Sequence, residues 1–185
     1  MPVIDHRRQS LRSKLGPELT QEGVALARSV GAGECGAIPV YDRVFTSTVP
    51  RAFQTAIAMG FAVDEQLDSL ATMGSSAFTD YRWPQPIAVA ARALLGDGPA
   101  GKFAPAQAEL LAGIAASLSP EGSALIVSHG GIVEAGAVAL LPDADHAAWG
   151  PAIGYVEGIR LHFDGAYCQR AELLRLATDR YLVES

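Results

Sequence analysis

At 185 residues, 49% apolar and 18% charged, the chain has the makings of one folded domain over residues 1–185 and is too apolar for wholesale disorder. A formal net charge of −6 argues against a nucleic-acid binder that works through a broad basic surface, yet leaves room for a local arginine cluster that grips small anions. No apolar run approaches the ~18 residues of a membrane span, and Asp5, His6, Arg7 and Arg8 break any leader-like start, so the cytoplasm is the expected compartment.

Pro2 to Arg8 is extended in character, although its charges make it a weak strand signal. Thr20 can cap a helix, with Gln21 and Glu22 in its first turn, Leu19 able to staple onto Val24, and Val24, Ala27 and Val30 as the apolar stripe. Gly31 to Pro39 ends it. Val40 to Thr48 reads as a second strand centred on Val44 and Phe45. Pro50 suits the first turn of the next helix, where its missing N–H costs nothing; Ala52 to Met59 is the body and Gly60 the stop. Residues 61–67 can hold a short strand. Ala71 to Pro86, rich in Ser, Gly, Thr and Pro, reads as a long excursion; Ile87 to Leu95 as a helix, Gly96 to Gly101 as a loop, and Pro105 to Leu118 as another helix.

Ala124-Leu125-Ile126-Val127-Ser128 is the strongest strand, a continuous apolar run of the kind buried on both faces of a parallel sheet. Gly130-Gly131 turns it into a helix over Ile132 to Leu141. Gly158 to Phe163 alternates apolar and polar residues, Asp164-Gly165 marks a tight turn, and Tyr167 to Leu173 returns as an antiparallel edge hairpin. The order predicts a three-layer α/β/α sandwich with a mostly parallel sheet. Cys35 and Cys168 show no CxxC and no metal-ligand spacing, and are expected to be ordinary thiols. His146 and His162 read as surface residues, and Trp83 and Trp149 as core or pocket rim.

In such sheets ligands sit beyond the carboxyl ends of the strands. Arg8, Ser47 and His129 fall at three such ends, and Arg51 lies in the first turn of the helix that follows the second strand, where an N-terminus favours anions. Guanidinium forks match two phosphate oxygens at once. The combination points to a phosphate monoester or inorganic phosphate as ligand.

Arg8-Gln9-Ser10-Leu11-Arg12, Leu19-Thr20-Gln21-Glu22-Gly23, Ser47 through Ala56 and Val127 through Gly131, in this order and spacing, resemble the histidine phosphatase superfamily, which includes the phosphoglycerate mutase-like enzymes. The resemblance implies that fold, no organic cofactor or metal, and a phosphohistidine intermediate. It implies phosphate-holding roles for Arg8, Arg12, Arg51 and His129, with Ser47 beside them. Gln9 falls at the nucleophile position. An imidazole has an available lone pair, whereas the amide nitrogen's is delocalised into its carbonyl, so Gln9 can hydrogen-bond phosphate but not attack it. Phosphate binding with impaired turnover is therefore expected. Gln9 as a natural residue and Gln9 as an engineered trap fit the sequence equally.

Two alternatives stay open. His6 can be the nucleophile of an active phosphomonoesterase, although that register lacks a preceding arginine and a following small residue. The chain can also be a non-enzymatic interaction protein on the same fold. The general acid implied by the resemblance is a glutamate after the third strand; Leu67 to Gly74 offers only Asp68, and Asp80 and Glu134 are the other candidates. The substrate and the oligomeric state are not legible.

Overall fold

The computed structural model describes residues 1–34 and 38–176. In chain order it contains β1 (Val3–Arg8), α1 (Gln21–Gly31), β2 (Arg43–Ser47), α2 (Pro50–Ala58), β3 (Glu65–Leu67), a 3-10 turn (Asp68–Leu70), α3 (Ser75–Tyr81), α4 (Ile87–Leu94), α5 (Pro99–Ser117), β4 (Ser123–Ser128), α6 (Ile132–Leu140), β5 (Gly158–Asp164) and β6 (Tyr167–Leu174). The six strands form one sheet in the order β3-β2-β4-β1-β5-β6. β1, β2, β3 and β4 run parallel, while β5 and β6 are the antiparallel hairpin at one edge.

The apolar run became β4, flanked by β1 and β2, because only a strand covered on both faces can bury every side chain. Ala124 and Ile126 face the larger core, shared with α3 to α6; Leu125 and Val127 face the smaller one, shared with α1 and α2. That division is the three-layer sandwich. Thr20 caps α1 as its sequence predicts, its hydroxyl accepting from Gly23 N–H at 2.9 Å.

The charges that weaken β1 as a sequence signal are satisfied by tertiary partners. Asp5 is fully buried and accepts from Arg160 Nε at 2.7 Å, Arg160 Nη2 at 2.8 Å and Tyr41 Oη at 2.5 Å. Arg7 Nη1 donates to Val156 O at 2.8 Å. Tertiary pairing outweighs local propensity here.

Four readings need correction. The loop expected at Gly96–Gly101 is partly helix, since α5 starts at Pro99, and Pro105 lies inside α5 rather than at its start. One backbone hydrogen bond is lost there, and burial of Ala100, Ala104, Leu111, Ile114 and Ala115 outweighs it. The excursion Ala71–Pro86 is not wholly irregular: α3 forms within it, anchored by buried Ala77 and Tyr81. His146 is buried rather than superficial, its ring edge-on to Trp149 with Nε2 3.0 Å from Leu141 O, and His162 in β5 is half-buried beside Glu172. Cys168 is a half-buried free thiol whose pKa burial pushes up to about 11; Cys35 lies outside the described residues.

Candidate functional site

The parallel strands β1, β2 and β4 end together, and each delivers one polar side chain to the same place. His129 Nδ1 lies 3.0 Å from Gln9 Oε1, and His129 Nε2 lies 2.9 Å from Ser47 Oγ. Proton directions follow from the obligatory acceptor: Gln9 Oε1 can only accept, so Nδ1–H donates to it, and Nε2 of the neutral ring then accepts from the Ser47 hydroxyl, whose oxygen also accepts from Val49 N–H at 3.1 Å. That is a neutral imidazole. Burial, then the charges of Arg51, Arg8 and His6, push the His129 pKa down to about 3. In this polarity His129 uses neither N–H of the Gln9 amide.

The loop after β1 is held by local bonds, which explains why Gln9 is fixed. Gln9 N–H donates to Ser128 O at 2.8 Å. Ser10 N–H donates to Thr55 Oγ1 at 2.9 Å, and Ser10 Oγ–H to Gly23 O at 2.7 Å, tying the loop to α2 and α1. Gly23 is required because a Cβ there would collide with the Leu11 carbonyl.

Arg8 is buried with its guanidinium carbon 3.9 Å from the Tyr155 ring centroid and 4.5 Å from that of Trp83, an aromatic clamp of two rings on one cation. Its Nη1 donates to Ile153 O at 3.2 Å. Arg51 Nε is buried with no hydrogen-bond partner among the described residues. Burial, then the neighbouring Arg12 charge, lower the Arg51 pKa, so its guanidinium sits in a site already rich in positive charge. Arg12 itself is exposed. Arg7, like Arg8, is buried. The backbone N–H of Arg51 donates to Pro17 O at 3.0 Å, so this amide at the α2 N-terminus is already used within the protein, unlike the sequence expectation.

A cavity of ≈ 380 Å³ opens beside these groups, lined by Arg51, His129, Gly130 and Ile132 and by the excursion from Ala71 to Phe78. No carboxylate lines it. Asp68 Oδ1 accepts from Thr48 Oγ1 at 2.9 Å, and Asp80 Oδ2 accepts from Ala100 N–H at 3.0 Å at the start of α5. Glu134 is fully buried, and both its oxygens are engaged: Oε2 by Gly131 N–H at 2.7 Å, Oε1 by Ile153 N–H at 3.0 Å and Trp83 Nε1–H at 3.2 Å. It has the geometry of a cap that ties together α6, the Ile153 loop and the Arg8 clamp, not that of an acid facing a ligand.

The His6 register is corrected by its position. His6 is fully buried in mid-strand, Nε2 lies 2.6 Å from Ser128 Oγ, and burial pushes its pKa down to about 3. A nucleophile needs access to phosphorus, which this ring lacks. Trp83, read from the sequence as core or pocket rim, packs on Arg8, whereas Tyr155 was not singled out; an aromatic carries no signal of what it stacks on. Among the described residues no cluster of three or more His, Cys, Asp or Glu side chains is placed to hold a metal, and no helix is long and apolar enough to cross a membrane.

No protein-family model and no curated protein sequence matches the chain. Solved structures do match over nearly its whole length. YhfR of Bacillus stearothermophilus superposes with a TM-score of 0.64 at 19% identity, covering 91% of this chain and 95% of that one. Mycobacterial glucosyl-3-phosphoglycerate phosphatase, complexed with VO3, gives 0.64 at 21% identity, covering 95% and 99%. Phosphoserine phosphatase of Entamoeba histolytica, in complex with 3-phosphoglyceric acid, gives 0.63 at 15% identity, covering 99% and 100%; a histidine-to-alanine variant of it, in complex with phosphoserine, matches equally. The six-stranded sheet and its two helical layers are therefore those of the histidine phosphatase, phosphoglycerate mutase-like fold.

Proposed function

We propose that this chain binds a phosphate monoester through Arg8, Arg51 and His129, with Ser47 and Arg12 beside them, and that Gln9 leaves it without a covalent nucleophile. The observation that carries the reading is the 3.0 Å approach of Gln9 Oε1 to His129 Nδ1 at the joint ends of β1 and β4. There an amide occupies the place from which an imidazole would attack phosphorus. Arg51, half-buried and with a buried Nε that has no hydrogen-bond partner among the described residues, supports an anionic ligand, since a buried donor left unpaired is costly. Two of the structural neighbours are phosphatases, and a histidine-to-alanine variant of one is in complex with phosphoserine, consistent with a ligand-holding role that does not need every histidine.

On this reading a bound phosphate dianion displaces the internal Gln9–His129–Ser47 chain in part, and its charge raises the His129 pKa from about 3. Glutamine keeps hydrogen-bonding capacity but blocks the phosphohistidine route.

The test compares the chain as it stands with Gln9→His on a generic aryl phosphate. The expected result is barely measurable turnover for the former and at least a hundredfold more for the latter, together with an acid-labile phosphoprotein. Equal turnover in both would overturn the assignment of the nucleophile position. A Gln9→His variant that binds phosphate yet stays inert would locate the defect at the missing proton donor, in line with a cavity that no carboxylate lines.

A further inference from the structure

The phosphate end of the cavity is cationic, but its remaining wall is neutral. Beyond Arg51 and His129 the lining consists of Ala71, Thr72, Met73, Gly74, Ser75, Phe78, Gly130 and Ile132, with no second cation and no carboxylate. Met73 and Ile132 are buried apolar side chains, whereas Phe78 is 48% exposed, a large aromatic left half in water on α3. The volume, ≈ 380 Å³, lies at the small end of the ~300–1,000 Å³ range of small-molecule clefts. We infer that the ligand is a small phosphate monoester whose organic group is uncharged and apolar, an aryl or alkyl phosphate, and not an ester that carries a carboxylate. The inference rests on the phosphate-binding reading above.

A carboxylate carried on the organic group would lie against Met73, Phe78 and Ile132, losing hydration with no guanidinium on that side to replace it. An aryl or alkyl group in the same place covers apolar surface already built into the wall, above all the exposed face of Phe78. Gly130 contributes no side chain to the lining, and a Cβ there would collide with Trp83. Thr72 and Ser75 add hydroxyls at the rim, which tolerate either an apolar group or a single polar substituent.

The experiment measures binding of inorganic phosphate, phenyl phosphate and 3-phosphoglycerate to the unmodified chain by calorimetry, and repeats it with Phe78→Lys. Phe78 is exposed enough for that replacement to leave the fold intact, which circular dichroism checks. The expected result is phenyl phosphate at least tenfold tighter than 3-phosphoglycerate. Phe78→Lys should reverse the order by weakening phenyl phosphate and strengthening the carboxylated ester at least fivefold. Phosphate binding with 3-phosphoglycerate as tight as phenyl phosphate, or a Phe78→Lys variant that changes neither ligand, overturns the inference and leaves the phosphate reading standing. Failure of all three ligands to bind overturns both.

Discussion

Replacing Glu134 with alanine removes a buried carboxylate that accepts from three donors, two of them backbone N–H groups of Gly131 and Ile153. Each buried N–H left without a partner costs about 1–3 kcal/mol. The Trp83 indole, half-buried, recovers part of its loss through water. Relief of the desolvated charge offsets some of the total, leaving an expected destabilisation of about 3 kcal/mol. For a chain of this length that corresponds to a fall of roughly 6–12 °C in Tm. Urea denaturation and a thermal melt measure it. The same replacement releases Trp83 from its anchor and slackens the clamp on Arg8, so phosphate affinity should fall as well. A general acid would behave otherwise. If Glu134→Ala leaves stability unchanged and, combined with Gln9→His, abolishes only turnover, the capping role is refuted and Glu134 is the proton donor.

The folded-state pKa values of His6 and His129, both about 3, lie below the ordinary imidazole value, so the unfolded chain binds more protons between pH 3 and 6.5. Stability should therefore fall as pH drops through that window, by roughly 1–2 kcal/mol per histidine between pH 6.5 and 5; a flat denaturation profile from pH 7 to 5 would contradict the burial of both rings. Arg51→Met should weaken phosphate binding on the order of a hundredfold, the loss of a charge-assisted contact, while leaving unliganded stability unchanged or raised, because Arg51 sits beside Arg12 in a desolvated position. A clear loss of stability would show that Arg51 serves the fold. Gly130→Ala places a Cβ 2.5 Å from Trp83 Cζ2, so the indole must shift off Arg8. A stability loss of about 1–3 kcal/mol and weaker phosphate binding are expected, and unchanged affinity would show that the clamp does not set Arg8.

The elements with their own local signals were readable: β4 from its unbroken apolar run, α1 from the Thr20 cap, the β5–β6 hairpin from alternation around Asp164-Gly165. The grouping of Arg8, Gln9, Ser47, Arg51 and His129 was legible because each stands at a strand end or in the turn after one, and parallel strands end on one side. What stayed hidden depends on contacts far apart in sequence. The charges of β1 conceal a central strand because their partners, Tyr41 and Arg160, are 36 and 155 residues from Asp5. Glu134 stands among the candidate acids until Ile153 and Trp83 are seen to donate to it. α3 escaped notice because a single short helix with two buried anchors leaves no periodic stripe.

The central claim is that Arg8, Arg51 and a neutral His129 form one anion site around Gln9. Calorimetric titration of the unmodified chain with inorganic phosphate near pH 7 tests it most directly. The account predicts saturable binding at one site, weakened on the order of a hundredfold by Arg51→Met. No binding, or binding indifferent to Arg51, would contradict it.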